Sequence, residues 1–262
     1  MAETGTTARR DASLGHACLT YDDPADFDTA ARDFLAAGRA AGQRVCYIGT
    51  GRPVGWEFTP EVIDVAAQYP TGSVIDPEAG LAVYAAATEQ ARAEGYTGLC
   101  VAADVTELVR TPAQLEAFAR YEFLVDRYMR DHPFTAMCAF DRGELGADTT
   151  VELACQHPDS VAPFRLYADR PDRSGVALAG ELDADTLTWF QHALRRCDLV
   201  PAGGELTVDG SGLTFIDHQS LLSLDRYARE RDATAVLRTS FSSAGLMARL
   251  MKLTGVRVEL VA

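Results

Sequence analysis

No run of this chain approaches the ~18 consecutive apolar residues that a membrane-spanning helix needs, so no membrane partner is expected. Positive charge is short as well: 24 Lys and Arg stand against 38 Asp and Glu, a formal net charge of −14. A phosphate-backbone binder presents a basic face, and direct nucleic-acid binding is therefore not expected. The acidic balance suits solubility and a partner with complementary basic patches. None of the six cysteines, at 18, 46, 100, 138, 155 and 197, belongs to a CxxC pair. Four lie in strand-like apolar runs, which reads as reduced, buried thiols in a cytoplasmic protein. The first fourteen residues, MAETGTTARRDASL, lack the apolar core of a signal peptide, and 1–13 read as a disordered polar tail. Neither a glycine-rich dinucleotide motif nor a local Ser-His-Asp signature occurs.

What is present is an ordinary globular composition, 47% hydrophobic and 24% charged over 262 residues, enough for one large or two small domains. The apolar run His16–Tyr21 reads as a strand. A helix with Phe27, Ala31, Phe34 and Leu35 on its apolar positions follows, with Gly38 to Gly42 suited to its C-terminal cap. Val45–Ile48 reads as the next strand, and 49–53 as a loop. Strand, helix, strand with short connections is a βαβ unit and implies a parallel sheet. The pattern continues with a strand at Ser73–Ile75, a helix from Pro77 to Glu94 and a strand at Gly98–Asp104. The next helix is announced by Thr111-Pro112-Ala113-Gln114, threonine three residues before glutamine with proline between. It runs to Asp131, and Phe134–Phe140 is the following strand. Such alternation predicts an α/β domain with helices on both faces.

A strand, turn, helix and later strand ending in aspartate is also the order of RecA- or KaiC-like ATPases. That places Tyr21–Asp26 at the phosphate-loop position and Asp104 at the metal-ligand position. A phosphate loop needs glycine amides and a lysine. Here Asp22, Asp23, Asp26 and Asp28 crowd a helix start instead, where carboxylates satisfy the amides and repel phosphate. The sequence therefore predicts no working ATPase.

On the Pro112–Asp131 helix, Leu115, Phe118, Val125 and Met129 share a face, and Glu122 sits in the middle of it. A carboxylate in an apolar stripe is costly unless paired. Two readings stay open: a structural Glu122 bonded to a tyrosine, a backbone amide or an arginine, or a ligand contact or charge relay in an internal pocket. His16 and His157, with Asp104 or Glu122, have the donor types that zinc takes. No pair shows HxxxH spacing, so both histidines read as capping or packing residues and no metal or cofactor is expected. Cys138 reads as a small core residue, with a redox role as the alternative. His132 and His192 read as solvated.

After His157 the chain turns proline-rich and polar, and a domain boundary is expected near 158–163. Phe164–Tyr167 and Val176–Leu182 read as strands, and a helix follows with Leu187, Phe190, Leu194 and Cys197 on one face. Glu205–Val208 and Leu213–Ile216 read as two strands around a turn at Gly210-Ser211-Gly212. Asp217 is placed to cap the next helix through the amide of Gln219 or Ser220. Ala235–Leu237 reads as a strand, Ser242 or Ser243 as the cap of a last helix ending at Gly255, and Val256–Leu260 as a final strand.

The stretch Leu206–Leu224 resembles the STAS domain of anti-sigma-factor antagonists, whose signature D-x-S-x-x-x-F-x-D-S-x-G-L stands here as Asp209, Ser211, Phe215, Asp217, His218, Gln219, Ser220 and Leu221. Leu178-Ala179-Gly180-Glu181-Leu182-Asp183 matches that family's entry strand. The resemblance implies partner contacts at Asp183, Asp217, His218, Gln219, Ser220 and Ser242, with an anti-sigma-factor kinase or another STAS protein as partner. Where the family carries its phosphorylated serine or threonine, this chain has His218, so the usual switch is not expected. Residues 14–160 resemble the MEDS domain, the methanogen/methylotroph sensory domain, a degenerate relative of the RecA/KaiC fold. The match is carried by His16, Tyr21, Phe34-Leu35 with Gly38, Asp104, Tyr121-Glu122, Met137 to Asp141, and His157-Pro158. It implies sensing of a small apolar, hydrocarbon-derived ligand, for which His16, Asp104, Glu122, Cys138 and His157 are the candidate contacts.

The expected whole is an α/β protein: a parallel-sheet sensory domain over 14–160 and a smaller mixed-sheet STAS-like domain with helices over 161–262. The expected role is that of a non-enzymatic cytoplasmic signalling regulator, with a homodimer as one assembly. Two alternatives stand beside it. One is a nucleotide- or small-molecule-processing enzyme built around Asp104 and Glu122; the other is a constitutive scaffold.

Overall fold

A computed structural model of the chain describes residues 15–49, 53–63 and 72–261. The expected N-terminal tail and most of the expected loop at 49–53 lie outside the described residues. The first unit runs β1 (His16–Tyr21), α1 (Pro24–Ala40), β2 (Arg44–Ile48), β3 (Glu61–Ile63), α2 (Pro77–Ala93), β4 (Leu99–Asp104), α3 (Pro112–Met129), β5 (Phe134–Asp141), α4 (Arg142–Leu145) and α5 (Ala147–Ala154). Its five strands are all parallel, in the order β1-β5-β4-β2-β3.

The three long helices of this unit start alike, with an acceptor side chain before a proline. Asp23 accepts from the Ala25 amide at 2.9 Å, Asp76 from Ala79 at 2.9 Å, and Thr111 from Gln114 at 3.2 Å, while the Gln114 side chain returns to the Thr111 amide at 3.0 Å. Alternation then distributes β4 between two cores. Leu99, Val101 and Ala103 pack with Phe118 and Val125 on the α3 side. Cys100 and Ala102 pack with Phe27, Ala31 and Leu35 of α1 on the other. Helices on both faces are thus as expected.

One local expectation fails here and another holds only in part. Ser73–Ile75 forms no strand; Ile75 is buried, but the strand beyond β2 is Glu61–Ile63, whose ladder with Cys46–Ile48 defines it. Gly38 does not cap α1, which passes through it to Ala40. A Cβ at Gly38 would stand 2.5 Å from the Cys100 sulfur, so the glycine allows helix and sheet to touch, and Gly42, at φ 79°, makes the exit turn.

The second unit runs β6 (Phe164–Tyr167), β7 (Gly175–Leu182), α6 (Leu187–Cys197), β8 (Glu205–Ile216), α7 (His218–Arg229), β9 (Thr234–Thr239), α8 (Ser242–Leu250) and β10 (Val256–Leu260). The sheet order is β10-β9-β8-β7-β6, mixed because β6 alone is antiparallel to its neighbour. No turn divides β8 at Gly210–Gly212; it is one 12-residue strand with register shifts against β7. A Cβ at Gly212 would lie 2.7 Å from that of Ala179, so this glycine serves close strand approach rather than chain reversal. Neither Ser242 nor Ser243 caps α8, whose N-cap is Phe241 without a side-chain bond.

The units are joined through α3. Phe123, on that helix, is buried in the core of the second unit with Phe164, Phe190 and Leu194. Arg127 donates to the Cys197 carbonyl at the end of α6. Arg196 of α6 reaches back to Glu116 of α3 at 2.9 Å and to Glu152 of α5, which also lies 2.9 Å from His192. His192 is therefore paired, not merely solvated as its sequence position suggests; His132 is exposed. No helix among the described residues is long and apolar enough to cross a membrane.

Candidate functional site

β1 lies at the sheet edge beside β5, with His16 opposite Ala136 and Cys18 opposite Cys138. Paired residues of parallel strands point to the same face, so His16 and Cys138 both turn toward α3. Glu122 descends from α3 onto that face. His157 arrives from the turn after α5, just before Asp159 bonds to the free edge of β1 through Cys18. The fold thereby gathers His16, Glu122, Cys138 and His157 with a ligating atom of each within 4.8 Å of the others. The two histidines and Glu122 have no exposed surface, and Cys138 is 7% exposed.

The contacts are close without being conventional. His16 Nε2 stands 2.8 Å from Glu122 Oε2, and His157 Nε2 stands 3.5 Å from the same oxygen. Neither approach is aligned as a hydrogen bond, and both Glu122 oxygens and both Nε2 atoms have no hydrogen-bond partner among the described residues. His157 Nδ1 lies 2.9 Å from the Leu153 carbonyl. A carbonyl only accepts, so Nδ1 carries the proton and a neutral ring keeps its lone pair on Nε2, toward Glu122. His16 Nδ1 faces Asp126 Oδ1 at 3.4 Å. Asp126 is itself fully buried; it accepts from Arg130 at 3.0 Å and from the Ala168 amide of the second unit at 2.6 Å.

Burial alone would lower the His16 pKa, but the carboxylates of Asp126 and Glu122 reverse this and raise it to about 9. Burial would likewise raise Glu122, and the two imidazoles facing it, His157 first and then His16, instead bring it to about 2. Burial first, then the nearby Glu122 charge, pushes the Cys138 thiol well above its usual range. Without a cation Cys138 is an inert thiol, not a redox nucleophile. Of the two readings of Glu122, the structure keeps the burial and changes the partner: two histidines take the place of a tyrosine, amide or arginine.

A cavity of about 30 Å³ lies between the sheet and α2 and α3, lined by Val101, Val105, Phe118, Tyr121, Phe134 and Cys138 among others. It is apolar, about the volume of one water molecule, and Cys138 lines it while also belonging to the histidine–carboxylate cluster.

Asp104 does not join these residues. It accepts from the Tyr21 hydroxyl at 2.9 Å and from the Thr106 hydroxyl and amide at 2.7 and 3.1 Å. Tyr21 is five residues along β1 from His16, about 17 Å at 3.3 Å per residue. Asp104 therefore braces the opposite end of the sheet. At that end Asp23 occupies the Ala25 amide at the start of α1, and the single lysine of the chain, Lys252, lies in the second unit.

At the end of β7 and β8, the Asp217 amide bonds to the Leu182 carbonyl, which brings Asp183 and Asp217 together. Asp217 caps α7 through the Ser220 amide at 2.8 Å, one of the two expected amides. Asp183 accepts from Asp185 and Thr186 amides. His218, Gln219 and Ser242 are exposed, and Asp183 and Asp217 are half-buried. Ser220 is the exception: it has no exposed surface, so it cannot touch a partner as expected, since the third residue of the helix lies about 200° round from His218 and faces inward when His218 faces out.

Asp126 is the site residue that sequence reasoning missed. It lies four residues after Glu122, one helical turn on, so a second carboxylate on the same buried face was the available signal. The Glu152–Arg196–His192 network gave none, because Glu152 on α5 lies 40 and 44 positions from its partners on α6.

A family model described as MEDS, MEthanogen/methylotroph, DcmR Sensory domain, matches residues 15–158, more than half of the chain. These residues include the whole cluster and stop before the second sheet. No curated protein matches the chain.

Proposed function

The chain belongs to the MEDS family of sensory domains, and from that premise we propose that it is a non-enzymatic signalling regulator. The first unit senses a small apolar ligand in the cavity behind Cys138, and the second is a STAS-like module that binds an anti-sigma-factor kinase or another STAS protein. The observation that carries this reading is Asp126. One of its oxygens faces His16 in the cluster, and the other holds the Ala168 amide of the second unit. A ligand that displaces Cys138 or Glu122 disturbs His16, then Asp126, then the backbone leading out of β6. The asymmetry favours one direction of signal, from a buried site to a surface that can meet a protein. His218 at the family's phosphorylation position makes partner binding independent of serine phosphorylation, and the first unit becomes the control.

The test is hydrogen exchange on the full chain under xenon pressure, an apolar monatomic probe that enters the cavity only if its walls give way. Faster or slower exchange at Ala168 that Asp126→Asn abolishes supports the relay. Changes confined to the cavity lining, with Ala168 unmoved, reject it.

A further inference from the structure

We propose that His16, Glu122, Cys138 and His157 form a binding site for one divalent cation of the zinc class. Four donors about 2.0–2.3 Å from a common ion stand about 3.3–3.8 Å apart at tetrahedral angles. The four ligating atoms here already lie within 4.8 Å of one another, from four separate segments of chain. A closure of roughly an ångström, by side-chain rotation, completes the set.

Three further observations point to a cation. Glu122 is fully buried with neither oxygen hydrogen-bonded, and its close approaches to His16 and His157 both involve Oε2, which leaves Oε1 without a partner among the described residues. Both histidines are prepared as ligands through their second nitrogen. His157 Nδ1–H is fixed on the Leu153 carbonyl, and His16 Nδ1 faces Asp126, the outer contacts by which metal-bound imidazoles are oriented. In both cases Nε2 is the nitrogen turned to Glu122. The charges also close. A doubly charged ion with one thiolate, one carboxylate and two neutral imidazoles is a neutral assembly, while Asp126 keeps its own partner in Arg130.

The donor set selects the metal. A thiolate with two imidazoles suits zinc and disfavours magnesium, calcium and manganese, which take oxygen. Four protein ligands leave no open position, so the site stabilises or reports on metal rather than activating water. Coordination overcomes the burial that holds the Cys138 thiol protonated and displaces the proton His16 carries toward Glu122, and both protons go to solvent as the sulfur–metal and nitrogen–metal bonds form.

The experiment uses the full chain stripped with a chelator, dialysed, and titrated with Co2+ in place of Zn2+. The expected result is one cobalt per chain, tetrahedral visible absorption and a thiolate-to-cobalt charge-transfer band. Cys138→Ser removes the charge-transfer band, and His157→Ala lowers cobalt affinity at least tenfold. X-ray absorption on the wild-type zinc form needs no variant, and one sulfur with three nitrogen or oxygen neighbours is expected. No cobalt absorption, a charge-transfer band unchanged in folded Cys138→Ser, or a zinc shell without sulfur each overturns the proposal. It stands apart from the sensing reading: a filled site with no change at Ala168 keeps the metal and rejects the relay.

Discussion

Each unit of this molecule buries a helical carboxylate, and the two are treated differently. Asp225, on α7 of the second unit, accepts from the Gly255 amide at 2.6 Å and from Arg229 at 2.8 Å. Its partners come from its own helix and from the turn before β10, so it ties α7 to that turn and is satisfied within the fold. Glu122, on α3 of the first unit, is buried as deeply yet holds two imidazoles at close range with no aligned hydrogen bond. A satisfied buried carboxylate is architecture. An unsatisfied one, held among other potential ligands, marks where the fold has kept stability in reserve for something that binds.

The largest effect expected concerns whether the two regions are separable at all. Phe123 belongs to α3 by sequence and to the second core by packing. Phe123→Ala should cost about 3–5 kcal/mol and lower a single urea transition read by both far-ultraviolet circular dichroism and tryptophan fluorescence. Two separated transitions in the wild type would show that the units are independent, and the comparison would then be between two proteins sharing a chain.

Next comes the contrast between the carboxylates. In the metal-free chain Glu122→Gln removes the counter-charge of His16 and should cost about 3 kcal/mol, since breaking a buried pair strands the other member. Asp225→Asn keeps an acceptor for the Gly255 amide and should cost about 1–2 kcal/mol. Denaturant midpoints at equal m-values decide the order, and an equal or reversed order would dissolve the distinction drawn between the two sites.

A smaller effect follows from pH in the metal-free chain. The folded-state pKa of His16 is raised from 6.5 to about 9, so its contribution is complete below 6.5 and is lost as pH rises through 9. Glu122 is lowered from 4.5 to about 2, so its contribution is complete above 4.5 and is lost as pH falls through 2. Melting temperature should therefore be highest between about pH 4.5 and 6.5 as far as this pair is concerned. Glu122→Gln should flatten the acid limb, and an acid limb of unchanged size in that variant would assign it to other carboxylates.

What could be read in advance follows the range of the interactions involved. The Thr111–Gln114 capping box and the Asp217 cap were legible because each is closed within three residues. Glu122 stood out because helix periodicity is local. That His16 and His157 stand with Glu122 was suggested by donor type and by the family resemblance but not by spacing, since the two histidines are 141 positions apart and meet only because β1 takes the edge beside β5. β3 was hidden for the same reason: Glu61-Val62-Ile63 is too short to show a period, and its ladder with β2 is what makes it a strand. Gly210 and Gly212 misled in the opposite sense, because glycine marks both reversal and close strand contact, and only the neighbouring Ala179 distinguishes the two.

The smallest effect on stability carries the sharpest statement about the second unit. His218 is exposed at the start of α7, and its ring lies 3.2 Å from the exposed Gln219 side chain, so His218→Ser should change stability by no more than about 0.5 kcal/mol. The substitution nevertheless places a hydroxyl where the resembled antagonists accept phosphate, beside an Asp217 cap that stays as it is. Incubated with an anti-sigma-factor kinase and ATP, the variant should acquire one phosphate at position 218, and the wild type none within Asp217–Ser223. Ser220 cannot substitute, because it has no exposed surface and its amide is held by Asp217 at 2.8 Å. The added charge at the helix start would favour α7 itself, so any loss of partner binding must come from repulsion at the contact. Mass spectrometry locates the phosphate. Modification of Ser220 or Ser223 in the wild type would show that α7 opens at its first turn and that the switch survives by another route. An unmodified His218→Ser chain would separate this surface from the kinase-docking class altogether.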